Sequence, residues 1–600
     1  MLNYKGFIVQ LTVRVFLLTY IFIVGLAVEL FPQNLPDSTI TKINNSFKEW
    51  NNKTPGCVLG IIRNDSLIFA KGYGMANLEY DIPNTPATIY HMASVSKQFT
   101  AYCIVLLARQ GKLKLDDNIR DYLPWFPDLG DEITIRNLLN HTSGIRDQWQ
   151  LLAISGTRLD DVITQDQIIK ILSRQQALNF KPGYEYRYCN SGYTMLAEIV
   201  KAVTGKSLRQ FADSAIFKPL GMNDTHFHDD YTEIVRNRSY SYNRIDKDQF
   251  ANCVLSYSNT GATSLFTTIN DMSKWIMNFY HHRVGDQQDI DQLTEKGRLI
   301  SGKEIKYSLG IFADQYKGYR QFSHGGSDAG YRTFMTVFPD IKMGFVLFSN
   351  LGDFDVSAKA YEIVDLFIRD TTQKAELPAK VHFDSTQAII TNIPAMQEFL
   401  GDYISDDGLH VGFDIKQSKL FYHIYGNSGI LVRQTFNMFS EFNNPEIKFV
   451  FSSNSVGNDL IIITPEITYY LKKFIKNKIP DADLLKTFVG TYNCPELDCN
   501  YSIVLRNKQL FLTNNKYNDI PLILINEDHL TNNTWFMGHL LFTRNTRGKV
   551  TGFEVNSGRI MHLRFNKIRR PALHFESMQI SLDSLNVYKV SKSCMNYLAA

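Results

Sequence analysis

The chain has 600 residues, of which 44% are hydrophobic, 20% charged and 13% aromatic, with a formal net charge of +3. That length exceeds what one hydrophobic core supports and predicts about two to four domains, while the composition is that of a chain able to fold. A charge so near balance, with no basic block interleaved with aromatics, excludes nucleic acid as the expected partner.

The first 30 residues differ from the rest. Lys5 and Arg14 precede an apolar run over residues 15–28, and Gly25 and Ala27 stand at a cleavage-like spacing. This reads as a signal peptide over residues 1–28, with an uncleaved anchor as the alternative, so the expected location is periplasmic or secreted. No later run is long enough to cross a bilayer. Seven cysteines are an odd number for an exported chain. Cys494 and Cys499 are close enough to staple a small loop, Cys103 sits among apolar residues of a predicted helix and reads as core, and Cys57 lies in an apolar strand-like run. No CxxC or Cys/His cluster has zinc-ligand spacing, so no metal is expected.

Residues 36–374 mix helix and strand signals. Residues 56–62 read as a strand, Asn64-Asp65-Ser66 as a turn and residues 67–73 as the return strand. A helix beginning near Ser94 carries apolar Phe99, Cys103, Leu106 and Leu107 and stops at Gly111. A second hairpin, residues 333–338 and 344–348 around Pro339-Asp340, precedes a helix over residues 357–368. Strands at both ends with helices between predict an α+β domain whose antiparallel sheet is built from its two termini and flanked by helices.

Residues 375–394 read as a linker. Beyond it the chain is strand-rich and repeats itself. Phe399-Leu400-Gly401-Asp402-Tyr403 is echoed by Phe488-Val489-Gly490-Thr491-Tyr492, and Lys419-Leu420-Phe421-Tyr422 by Gln509-Leu510-Phe511-Leu512. Two similar all-β units are expected, over residues 395–476 and 484–568, each a small barrel or sandwich. Residues 569–600 form a tail with no clear signal.

The chemistry concentrates in three segments. Ser94-Val95-Ser96-Lys97 opens a helix, and positions i and i+3 share a face. A serine hydroxyl needs a base, and a lysine amine with a lowered pKa supplies one; the helix N-terminus favours developing negative charge. Tyr188-Cys189-Asn190 follows the turn Lys181-Pro182-Gly183. The Tyr188 phenol is suited to relay a proton to a leaving group, and the Asn190 amide to hold a substrate amide or Lys97. His324-Gly325-Gly326-Ser327 lies in a strand-like stretch whose glycines admit another backbone, as for a substrate added along the strand edge. The Ser94 and Ser327 N–H groups are the expected oxyanion hole, and His324 a hydrogen-bonding wall whose charge is tunable near neutral pH.

Taken together, these segments resemble the serine β-lactamase and penicillin-binding-protein superfamily, nearest to its class C β-lactamase-like and D-aminopeptidase-like branch. That family carries S-x-x-K, Y-x-N and a K-T-G-type strand in this order. Ile133-Thr134-Ile135-Arg136-Asn137-Leu138-Leu139, His141-Thr142-Ser143-Gly144 and Ser349-Asn350 look like the same branch. The resemblance covers residues 36–374, and implies an antiparallel sheet with a helical lobe between its two parts. The repeated tail is similar to lipocalin-like β domains appended to such hydrolases. One departure stands out: His324 occupies the place of a lysine that would grip a substrate carboxylate. Arg332 is a candidate for that contact or for a surface ion pair.

The expected function is an exported serine hydrolase that acts through an acyl-serine intermediate on an ester or amide, such as a D-amino-acid peptide or a peptidoglycan fragment, and needs no cofactor. Ser94 is the nucleophile, Lys97 the base and Tyr188 the proton relay, with Asn190, His324, Gly325 and Gly326 binding substrate. The alternatives are a non-catalytic ligand-binding protein of the same fold and an interaction protein acting through its β repeats.

Overall fold

The computed structural model describes residues 35–370 and 394–568, apart from short stretches at 407, 425–426, 443, 446, 453–458, 465–467 and 475–481. The expected signal segment, almost all of the expected linker and the C-terminal tail lie outside these residues. Among the described residues, no helix is long and apolar enough to cross a membrane.

Six antiparallel strands form the main sheet, in the order Phe312–Tyr316, Tyr319–Asp328, Tyr331–Phe338, Met343–Ser349, Cys57–Arg63, Ser66–Tyr73. The two ends of the domain meet inside this sheet, where Cys57 pairs with Ser349 and Arg63 with Met343. The central strands Cys57–Arg63 and Met343–Ser349 are buried almost throughout, because each sheet face is covered. On one face, Phe47, Phe334, Phe345, Leu347 and Ile363 pack the sheet against the helices Asp37–Ser46 and Val356–Val364. On the other, Val58, Val346 and Phe348 join a core that includes the helices Lys97–Arg109, Asn190–Thr204 and Ile269–His281. Cys57 is buried in the first of these cores and Cys103 in the second, both as free thiols.

The tail folds as two closed eight-stranded antiparallel barrels, Gly401–Ser405 through Thr468–Phe474 and Gly490–Cys494 through Ile560–Ile568. The sequence repeat has a physical basis. The Tyr403 hydroxyl donates to the Phe399 carbonyl (3.2 Å), and the Tyr492 hydroxyl to the Phe488 carbonyl (2.6 Å). Each tyrosine ring is covered by a lysine from its barrel's last strand, Lys473 at 5.5 Å and Lys567 at 5.5 Å. A Cβ at Gly490 would stand 2.6 Å from the Lys567 stem and the φ there is 155°, so the glycine admits the lysine.

The two barrels relate differently to the rest. The first has its own core around Phe413, Phe439 and Phe451. The second shares one continuous core with the sheet-and-helix domain. Cys494 and Cys499, read from sequence as a possible staple, are opposed across adjacent strands of the second barrel and stand as free thiols.

Candidate active site

Ser94 lies in a single 3₁₀ turn, Ala93–Ser96, that runs into the helix Lys97–Arg109. Ala93 is held at φ 48°, a left-handed conformation that alanine adopts at a cost of roughly 1–2 kcal/mol. The turn is tied down on both sides. Ser96 Oγ donates to the Ala93 carbonyl and accepts from the Leu265 N–H, and Thr333 Oγ1 donates to the Met92 carbonyl. Of residues 91–100, Ser94 alone is partly exposed.

Lys97 is fully buried, and its Nζ donates to Ser94 Oγ (3.1 Å), Asn190 Oδ1 (2.8 Å) and the Ala262 carbonyl (2.7 Å). Burial lowers its pKa to about 7; the Arg559 charge acts in the same direction, and Asp328 and Asp147 oppose it. The amine is therefore poised between its two protonation states near neutral pH, as a base for a serine hydroxyl must be.

Asn190 opens the helix Asn190–Thr204 and is nearly buried. Its Oδ1 accepts from Lys97, while its N–H and Nδ2 both donate to Asp147 Oδ2 (2.7 and 2.8 Å). Of the two roles read from the sequence, it fills the one of holding Lys97. Asp147 caps the helix Gln148–Ser155 through the Trp149 N–H (3.0 Å) and is itself buried.

Tyr188 completes the cluster. Lys97 Nζ lies 5.0 Å from its ring centroid, and the Arg559 guanidinium 4.9 Å. The hydroxyl oxygen is buried with no hydrogen-bond partner among the described residues. Burial raises the phenol pKa, and the neighbouring Ser94 hydroxyl and Arg559 charge pull it the other way. Its ring packs on His141 at 4.1 Å, and His141 Nδ1 accepts from the Cys189 N–H (3.1 Å). The His141-Thr142-Ser143-Gly144 stretch thus shapes the loop that presents Tyr188.

His324, Gly325, Gly326 and Ser327 occupy the strand Tyr319–Asp328, whose neighbour Phe312–Tyr316 pairs only as far as Ser323. The outer edge beyond Ser323 is left open, and Gly325 and Ser327 are exposed while His324 and Gly326 are buried. The two glycines differ in function. A Cβ at Gly326 would come within 2.4 Å of the Met92 carbonyl oxygen and 3.1 Å of the Ala93 side chain, so this glycine lets the strand close on the Ser94 turn. A Cβ at Gly325 would meet nothing nearer than 3.8 Å, which leaves the edge open to another backbone.

His324 departs from the sequence reading. Its Nδ1 faces the Gly325 carbonyl at 2.6 Å and therefore carries the proton, so Nε2 accepts from the Tyr307 hydroxyl at 3.0 Å. Burial, reinforced by the Lys97 charge, lowers its pKa to about 3. It is a neutral wall, not a side chain tunable near pH 7. Among the described residues Arg332 makes no ion pair; its NH1 donates to the Ala329 and Tyr331 carbonyls at 3.0 and 2.8 Å.

Sequence reasoning missed three contributors. Asp147 carried only a helix-cap signal. Asp328 accepts from His91 (2.9 Å) and from the Thr263 hydroxyl beside the strand, which no motif announced. Arg559, in the turn between the last two strands of the second barrel, is 3.8 Å from Asp147. That turn is built into the sheet-and-helix domain: the Arg559 N–H donates to Gln150 Oε1 (2.7 Å), and its carbonyl accepts from Asn179 Nδ2 (2.9 Å).

Residues 38–366 match the family described as Beta-lactamase. A D-aminopeptidase of Brucella anthropi is 30% identical over 293 residues, 47% of this chain and 53% of that protein. A second D-aminopeptidase of Brucella anthropi is 28% identical over 324 residues, 52% of this chain and 59% of that protein. The chain thus spans little more than half the length of these relatives. In fold it is similar to the octameric penicillin-binding protein homologue from Pyrococcus abyssi, with a TM-score of 0.53 and 20% identity over 79% of this chain and 97% of that one.

Proposed function

This chain belongs to the Beta-lactamase family, and from that premise we propose that it is an exported acyl-serine hydrolase acting on the amide or ester of a D-amino acid or a short D-amino-acid peptide. The observation that carries the reading is the contact of Lys97 Nζ with Ser94 Oγ at 3.1 Å, made by a buried amine whose pKa has fallen to about 7. The D-amino-acid preference rests on the D-aminopeptidases to which the chain is similar. Export rests on the N-terminal segment alone.

In the proposed reaction neutral Lys97 takes the Ser94 proton as Oγ attacks the carbonyl carbon. The resulting oxyanion is held by the Ser94 and Ser327 N–H groups; the close approach of Gly326 to Met92 and Ala93 supports this pairing. The substrate backbone lies along the open edge at Gly325. Tyr188 hands a proton to the leaving group and regains one from Lys97. Water then enters with Lys97 or Tyr188 as base and releases the acid. Asn190, anchored by Asp147, keeps the amine aimed at Ser94.

The test is covalent labelling of the full chain by a fluorophosphonate serine probe, beside turnover of D-alanine p-nitroanilide and its L-enantiomer. Wild type is expected to label once and to favour the D-form, and Ser94→Ala to do neither with its fold retained. Labelling that persists in Ser94→Ala overturns the nucleophile, and equal turnover of the two enantiomers overturns the substrate class.

A further inference from the structure

A second cluster of chemically active side chains lies outside the hydrolytic site and has no part in the reaction above. His226 and His228 are alternate residues, so their imidazoles leave the chain on the same side, with ring centroids 5.7 Å apart. The strand His226–Phe227 pairs with Leu265–Thr267, and the His228 N–H donates to the Ser264 carbonyl at 2.8 Å. A tight turn, closed by the Glu233 N–H on the Asp230 carbonyl, brings Glu233 back over them.

Glu233 Oε2 is 3.5 Å from His228 Nδ1 and 3.8 Å from His226 Nε2, and the three ligand atoms lie within 4.8 Å of one another. These are not hydrogen bonds. Both nitrogens are buried without a hydrogen-bond partner, and His228 is only 2% exposed. Two partnerless imidazole nitrogens within 4.8 Å of each other and of a carboxylate oxygen require an account. Ligands at about 2.0–2.2 Å in a tetrahedron stand roughly 3.3–3.5 Å apart, close to the two His–Glu separations.

We propose that His226 Nε2, His228 Nδ1 and Glu233 Oε2 form a binding site for a zinc-type transition-metal dication, with the fourth position open to water. The charged groups around it fit an imidazole-rich site better than a calcium or magnesium one. Arg209 donates to both Glu233 oxygens (2.7 and 2.8 Å) and to Asp229 (2.9 Å), which orients the carboxylate as an outer partner does. Arg238 lies over the Phe266 ring at 4.9 Å, and Phe266 touches both histidine rings. Cations that need several oxygen ligands find one carboxylate here, already shared with Arg209. The role is structural: the strand Leu265–Thr267 continues the segment whose Ala262 carbonyl holds Lys97 and whose Leu265 N–H holds Ser96.

The experiment uses the full chain, stripped with a chelator and titrated with zinc chloride by calorimetry, with magnesium chloride as counter-probe and unfolding temperature as a second readout. One zinc per chain, a rise in unfolding temperature and no response to magnesium are expected. His228→Ala and, with less disturbance of packing, Glu233→Gln are each expected to weaken zinc binding at least 10-fold. Absence of stoichiometric zinc in the wild type overturns the site, as does a Glu233→Gln protein of native circular dichroism that binds zinc like the wild type. Should His228→Ala not fold, the Glu233→Gln result decides.

Discussion

Arg559, in a turn of the second barrel, holds its guanidinium 4.9 Å from the centroid of the Tyr188 ring, so a domain remote in sequence contributes charge to the Ser94 site. That charge lowers the Lys97 pKa, and removing it raises the value above about 7. The hydrolysis requires the neutral amine, so the acidic limb of the pH profile must move to higher pH. We expect Arg559→Ala to shift the limb of kcat/KM upward by about half to one unit and to lower kcat/KM at pH 7 several-fold. A limb that stays in place shows that Arg559 does not act on Lys97.

One buried ion pair joins that barrel to the sheet-and-helix domain. Arg146, 1% exposed, donates through NH1 to both Glu496 oxygens at 2.8 Å, and through NH2 to the Met561 and His562 carbonyls at 3.0 and 3.1 Å. Truncating one partner leaves the other charge buried and unpaired, at about 3–5 kcal/mol. Glu496→Ala is expected to lose that much stability in urea unfolding and to expose the barrel junction to protease. Arg146→Met with Glu496→Leu recovers part of the loss: two apolar side chains leave no stranded charge, but the Met561 and His562 carbonyls lose their donor.

The sequence made local features legible and left distant ones dark. Ser94 and Lys97 share a helix face, the hairpin around Asn64 declares itself by its turn, and the barrel repeat is visible because each copy needs the same glycine and tyrosine. Arg559 meets Tyr188 only after a barrel closes and docks, and no local periodicity reports that. The reading of His324 failed for a related reason. Residue type gives an imidazole near pH 6.5, but burial against Tyr307, and the Lys97 charge, are properties of the assembled site.

His324 yields a prediction from that correction. With its pKa near 3 it is uncharged wherever the enzyme works. Its removal therefore changes shape and hydrogen bonding at the strand edge but not the charge around Lys97. His324→Gln is expected to lower kcat/KM by about 10-fold, the order of one lost neutral hydrogen-bond geometry, while the acidic limb stays near pH 7. A limb displaced upward by this substitution would mean that His324 carries a positive charge in the wild type.

Lys97 links catalysis to stability. In the folded chain its pKa is about 7, against 10.5 for an ordinary lysine. Between these values the unfolded chain binds a proton that the folded chain does not. Stability must then rise with pH across that window, by at most about 1.4 kcal/mol per pH unit from this group. Below pH 7 both forms are protonated and the contribution is flat. Lys97→Met lacks the titration, so its unfolding free energy, measured in urea from pH 6 to 10, should lose ground to the wild type steadily above pH 7 and run parallel to it below. Parallel curves across the whole range would show that Lys97 keeps an ordinary pKa in the folded protein and is charged at neutral pH, a state in which it cannot take the proton of Ser94.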